Sequence, residues 1–138
     1  MKYNIPSQLF YTKTHEWAKK TNDKVKIGLT SYAVEKLGEI TYLELKEAGT
    51  EVKAGDKIGE VESYKSTEPI YSPVSGKIVK VNIEILSEEQ GGKAKYEYMT
   101  EDPYGKGWLI EVEPEDFDRD VKNLMNSEQY TKHIEAEE

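Results

Sequence analysis

The sequence predicts a mainly β fold with one short helix near residue 32 and a helical tail. Three observations predict it. Short alternating apolar segments recur between glycine-, proline- and asparagine-containing turns. A Gly, then Lys-Ile-x-x-Val pattern occurs twice, as Lys57, Ile58 and Val61 and again as Lys77, Ile78 and Val81. Beyond Pro114, apolar residues switch to helical spacing. Between the two copies lies a polar break, Glu62 to Glu68, with Lys65 at its centre. A polar tip between strands projects into solvent, because buried loop backbone would lack hydrogen-bond partners. Lys65 is therefore expected to be presented rather than packed.

Taken in order, Tyr3 to Phe10 reads as an irregular lead-in, with Pro6 blocking a helix. Tyr11–Trp17 reads as a first strand and Val25–Leu29 as its hairpin partner, across a polar turn at 21–24. Thr30 or Ser31 caps a helix whose apolar face is Ala33, Val34 and Leu37, and Gly38 ends it. Ile40 to Leu45 is a strand, and Gly49 turns the chain into the first repeat copy. Gly55 and Gly76 are each expected to open a turn at positive φ. Ile83–Leu86 extends the apolar run after the second copy, and Ser87 to Thr100 reads as a loop. Asp102-Pro103-Tyr104-Gly105 has turn chemistry at each position. Trp108–Val112 is the closing strand. Phe117, Val121, Leu124 and Met125 form one helical stripe, and Tyr130 and Ile134 a second, before an end expected to fray.

Composition bounds the function. At 138 residues one domain is expected, with a core over about 10–113 and the tail over 114–138. A net charge of −8 disfavours nucleic acid. With no cysteine, no disulfide or thiolate chemistry originates in the chain. Two histidines, His15 and His133, are a poor metal ligand set, so no metal site is expected. There is no glycine-rich phosphate loop, and the many carboxylates read as solvated faces. No apolar run is long enough to cross a membrane, and residues 1–6 read as neither a signal nor a transit peptide, so a cytoplasmic protein is expected.

The chain resembles the H proteins of the glycine cleavage system, lipoyl carriers of the biotinyl/lipoyl fold. The resemblance rests on Tyr11-Thr12-Lys13-Thr14-His15-Glu16-Trp17, Ile27-Gly28-Leu29-Thr30-Ser31-Tyr32-Ala33, Leu37-Gly38-Glu39-Ile40 and Leu43-Glu44-Leu45. It continues through Glu60-Val61-Glu62-Ser63-Tyr64-Lys65-Ser66, Tyr71-Ser72-Pro73-Val74-Ser75-Gly76, Val81-Asn82 and Asp102-Pro103-Tyr104-Gly105-Lys106-Gly107-Trp108-Leu109. It implies a flattened β-sandwich, a barrel-sandwich hybrid, with lipoate joined covalently to Lys65 and no catalysis by the chain itself. It also implies four partners: the pyridoxal-phosphate glycine decarboxylase, the aminomethyltransferase, dihydrolipoamide dehydrogenase and a lipoyl ligase. A monomer is expected.

Two departures leave room for other readings. Tyr64 stands where H proteins commonly place Val, and the link from Ser87 to Thr100 is longer than usual. One alternative keeps the lipoyl group but carries sulfur intermediates for heterodisulfide-reductase-like oxidation, or relays lipoyl groups. Another is an unmodified interaction domain, in which Lys65 is one solvated lysine among 19 basic residues. By the resemblance, Glu16 and His15 are candidate arm contacts, with the Glu16 carboxylate set to hold an aminomethyl ammonium. The competing reading makes Glu16 a surface acid and His15 a packing residue.

Overall fold

The computed structural model describes residues 3–86 and 94–138. Its strands are β1 (Phe10–Tyr11), β2 (Glu16–Thr21), β3 (Lys24–Leu29), β4 (Ile40–Leu45), β5 (Glu51–Val52), β6 (Lys57–Ser63), β7 (Thr67–Tyr71), β8 (Gly76–Val81) and β9 (Ile110–Pro114). Its helices are α1 (Ser31–Leu37), α2 (Ile83–Leu86), α3 (Glu97–Glu101), α4 (Phe117–Asp120) and α5 (Ser127–Glu137). Six strands make one sheet in the order β1-β2-β3-β9-β8-β5, and three make the other in the order β4-β6-β7. Every pairing is antiparallel. The mainly β sandwich with a short helix and a helical tail is the architecture expected from the sequence.

Alternation creates the sandwich core. Val25, Ile27, Ile78, Ile110 and Val112 point inward from the large sheet, and Leu43, Ile58, Val61 and Ile70 from the small one. The flanking Lys26 and Glu111 pair side by side on the opposite face. The two repeat copies fall in opposite sheets, β6 in the small one and β8 in the large one, and Ile58 and Ile78 are both fully buried. A second cluster gathers Tyr11, Trp17, Tyr32, Tyr130 and Ile134. It docks α5, which carries an Asn126–Gln129 capping box at its start.

Several sequence expectations are corrected here. Tyr11–Trp17 is not one strand: it reverses at 12–15, where His15 takes φ 76°, so that Tyr11 pairs with Trp17 in a hairpin. Gly55 turns at φ 92°; Gly76 also has positive φ, 157°, but as the first residue of β8 rather than in a turn, where a side chain would strike the Glu113 carbonyl. The apolar run Ile83–Leu86 winds into α2, just after Asn82, whose N–H still donates to the Leu109 carbonyl and whose side-chain amide donates to the carbonyls of Lys106 and Trp108.

Of the expected loop from Ser87 to Thr100, residues 87–93 lie outside the described residues. Residues 97–100 belong to α3, which packs on α1 and buries Met99 in the core. The stripe from Phe117 to Met125 is not one helix. α4 gives way to a 3-10 turn, Val121–Asn123, then Leu124 is extended and Met125 bridges to Tyr11. The end expected to fray is helical in the structure: α5 runs to Glu137, whose carboxylate meets both histidines.

Candidate functional site

Lys65 sits on the reversal between β6 and β7. Glu62 pairs with Thr67, which leaves Ser63–Ser66 to turn the chain. The Ser63 N–H donates to the Ser66 carbonyl at 2.9 Å, and the Lys65 N–H donates to Ser63 Oγ at 3.2 Å. The backbone is thus fixed while the side chains of Tyr64 and Lys65 point outward, Tyr64 being 80% exposed. Lys65 Nζ donates to the Lys36 carbonyl, 3.4 Å away near the C-terminal end of α1. Gly38 caps that end at φ 77°. A Cβ built there would lie 3.8 Å from Lys65 Cε, so the lysine stem runs across the helix end.

Beside the turn is a cleft of about 600 Å3 between α1, the start of β7 and the 13–15 turn. Leu29, Leu37 and Val61 form an apolar wall, while Thr14, His15 and Lys36 add polar groups. Ser66 lines the same cleft, one residue from Lys65.

Glu16 is 0% exposed, so its reading as a surface acid is overturned. One carboxylate oxygen accepts from the hydroxyls of Thr12 and Thr14, both at 2.5 Å, and the other accepts from the Tyr71 N–H at 3.1 Å. It therefore ties the β1–β2 turn to the end of β7, one sheet to the other. Burial pushes its pKa up, and these donors oppose the shift. The Glu16 carboxylate is itself absent from the cleft wall; its partner Thr14 is part of it.

His15 lines the cleft and packs on Tyr32, with ring centroids 4.9 Å apart. Its Nδ1 lies 2.8 Å from the Tyr130 hydroxyl, which is 2.7 Å from Thr30 Oγ1. Its Nε2 is 3.1 Å from Glu137. Burial lowers the His15 pKa, against the opposing pull of the Glu137 carboxylate. Sequence reasoning missed Lys36, Tyr130 and Glu137 as neighbours of the site. Local spacing holds no signal for them, since they meet it only through the docking of α1 and α5. The Thr-x-Thr-x-Glu spacing of Thr12, Thr14 and Glu16 was the available sign of a carboxylate held by a turn.

A lysine held out on a reverse turn, beside an apolar cleft in a small β-sandwich, is an arrangement that suits a carrier, a domain that presents a tethered group to other proteins. The chain belongs to the glycine cleavage H-protein family, whose model matches residues 9–137. It is 46% identical over 134 residues to a probable glycine cleavage system H protein of Korarchaeum cryptofilum, covering 94% of this chain and 96% of that one. It is 43% identical over 134 residues to the glycine cleavage system H protein of Halalkalibacterium halodurans, covering 97% and 98%. The crystal structure of a glycine cleavage system H protein from Mycobacterium marinum superposes with a TM-score of 0.79 at 36% identity, over 94% of this chain and 98% of that chain. H proteins are the lipoyl carriers of the glycine cleavage system, and the chain is a carrier rather than a catalyst. Among the described residues no helix is long and apolar enough to cross a membrane.

Proposed function

We propose that Lys65 is the lipoate attachment site, and that the 138 residues act as one cytoplasmic, monomeric carrier unit moving the aminomethyl group of glycine from the decarboxylase to the aminomethyltransferase. The observation that carries this reading is the Ser63–Ser66 turn, which fixes the backbone at Lys65 and leaves its amine exposed. The residues fit the group. The Lys65 amine is open to acylation, its hydrogen bond among the described residues is the long contact to Lys36, and the adjacent cleft has an apolar wall for a hydrocarbon arm. Joined there, lipoate would supply a redox-active disulfide able to carry a one-carbon amine between partner enzymes.

The chain's own residues present, shelter and release. Amide formation removes the Lys65 charge, and with it the attraction to the α1 carbonyls. Leu29, Leu37 and Val61 keep water from one side of the cleft. Of the two candidate arm contacts, His15 faces the cleft directly, and Glu16 acts on it through the Thr14 hydroxyl that it orients. The acidic surface suits brief docking on basic patches of the partner enzymes and the lipoyl ligase.

The test is intact mass. The protein is lipoylated, then exposed to glycine and the decarboxylase from the same source. Gain of an aminomethyl group on the lipoyl form supports the reading. Lipoyl mass without that gain would favour sulfur carriage or lipoyl relay, and no lipoyl mass at all would leave an unmodified interaction domain.

A further inference from the structure

We propose that His15, His133 and Glu137 form a binding site for a divalent metal of zinc's class at the rim of the cleft. The two histidines are distant in sequence. The docking of α5 brings one nitrogen from each and a carboxylate oxygen of Glu137 within 4.8 Å of one another. His15 Nε2 lies 3.1 Å from one Glu137 oxygen, and His133 Nε2 lies 3.2 Å from the other. A tetrahedral zinc ion, with bonds of roughly 2.0–2.1 Å, spaces its ligand atoms about 3.3 Å apart. Each histidine nitrogen thus already stands at about that spacing from a Glu137 oxygen, while the three ligand atoms, within 4.8 Å of one another, would have to close further around the ion.

Each ligand is held by features independent of an ion. His15 is fixed through its second nitrogen: Nδ1 meets the hydroxyl of Tyr130, which is fully buried and bonded in turn to Thr30. A ligating imidazole uses such a partner to set its tautomer, donating from Nδ1 and leaving the Nε2 lone pair free. His133 and Glu137 stand one turn apart on α5, so both side chains lie on one face. The helix is anchored by Tyr130 and Ile134, which are buried in the second cluster.

The donor set matches the ion. Two imidazoles and one carboxylate suit a borderline-soft cation, and three protein ligands leave a fourth position open. His15 and Glu137 both line the cleft, so that position borders it and is available to water or to an incoming thiolate. The net charge of −8 favours a cation, while Lys13 and Lys36, which also line the cleft, oppose it. Binding requires His133 Nε2 to give up its 3.0 Å contact with the Lys13 carbonyl, an exposed group that water can satisfy.

The inference does not rest on the modification of Lys65, so its test uses the unmodified full chain. Zinc is titrated calorimetrically, and cobalt(II) is substituted to read the tetrahedral absorption bands. One equivalent is expected to bind. His133→Gln and Glu137→Gln should each weaken binding at least about tenfold while circular dichroism stays unchanged, since both side chains lie at the surface. Glu113→Gln, at an exposed acid on β9, should leave it unaltered. Absence of saturable binding would overturn the site. So would binding that His133→Gln and Glu137→Gln leave untouched, because the ion would then sit on other surface carboxylates.

Discussion

The ammonium of Lys65 rests 3.4 Å from the carbonyl oxygen of Lys36, two residues before the glycine that ends α1. The last carbonyls of a helix carry partial negative charge and lack partners within the helix. The unmodified lysine therefore has a weak resting place across the helix end, and acylation of the amine takes that attraction away. The turn beneath it is held by backbone and by Ser63, so the rest of the site does not depend on the lysine charge.

Lys65→Arg should accordingly abolish lipoylation without harming the fold. Arginine keeps the charge but offers no amine for amide formation. Intact mass after treatment with the ligase should show no added lipoyl group. The melting curve should change by no more than about 0.5 kcal/mol, as for other exposed substitutions. A lipoyl adduct on the variant would move the attachment site elsewhere.

Glu16 invites a different experiment, because its carboxylate joins the two sheets. Glu16→Ala would take the acceptor from the half-buried Tyr71 N–H and from two threonine hydroxyls, of which Thr14 is exposed and can turn to water, at a cost of about 1–3 kcal/mol for a donor left unsatisfied. Glu16→Gln keeps one acceptor and should lose less. Thermal melts of the two variants give that order directly, and equal, unchanged melting points would remove the structural role. Lipoylation of Lys65 should persist in Glu16→Gln, since the two sites share no hydrogen bond.

What the sequence made legible was local. Thr30 accepts from the Ala33 N–H and Gly38 ends the helix, as their residue types require. The Asp102 turn closes on the Gly105 N–H, and Tyr130 and Ile134 are buried one turn apart. Lys65 was legible because a polar break between apolar segments has few structural outcomes. What escaped was decided at a distance. Leu124 and Met125 fit a helical stripe, yet pairing of Met125 with Tyr11 pulls them into extended backbone. The surface-acid reading of Glu16 stayed open in the sequence because its Tyr71 partner lies on the other sheet. The His15–Glu137–His133 cluster depends on a helix whose docking site is the far face of β2.

Alkaline titration should loosen the N-terminal lead-in first. Tyr11 donates to the Pro6 carbonyl at 2.5 Å and Tyr104 to the Asn4 carbonyl at 2.6 Å. Burial is the main cause raising both pKa values above the ordinary value near 10. For a group whose folded pKa is raised, its contribution is intact below the unfolded value. It is lost as pH climbs from there through the folded value, because the unfolded chain deprotonates first. Stability should therefore fall above about pH 10. Tyrosinate absorbance should rise together with protease cleavage near residues 3–9. Tyr104→Phe should flatten the dependence, and an identical slope would separate Tyr104 from the effect.

The hold of α5 on the sandwich can be tested at one residue. The helix is mostly polar along its length and is fastened by Tyr130 and Ile134, whose side chains enter the cluster with Tyr11, Trp17 and Tyr32. Ile134→Ala should cost about 2–5 kcal/mol, the range for removing a buried isoleucine side chain and leaving a cavity. Glu135→Ala, one residue on but exposed, should cost less than about 0.5 kcal/mol. Urea melts of the pair measure the difference. Because the same helix carries His133 and Glu137 to His15, Ile134→Ala should also weaken zinc binding by releasing two of the three ligands together. Glu135→Ala should leave both properties intact. A loss of stability in Ile134→Ala with zinc affinity preserved would mean that the helix end is held by the histidines themselves rather than by its apolar anchor.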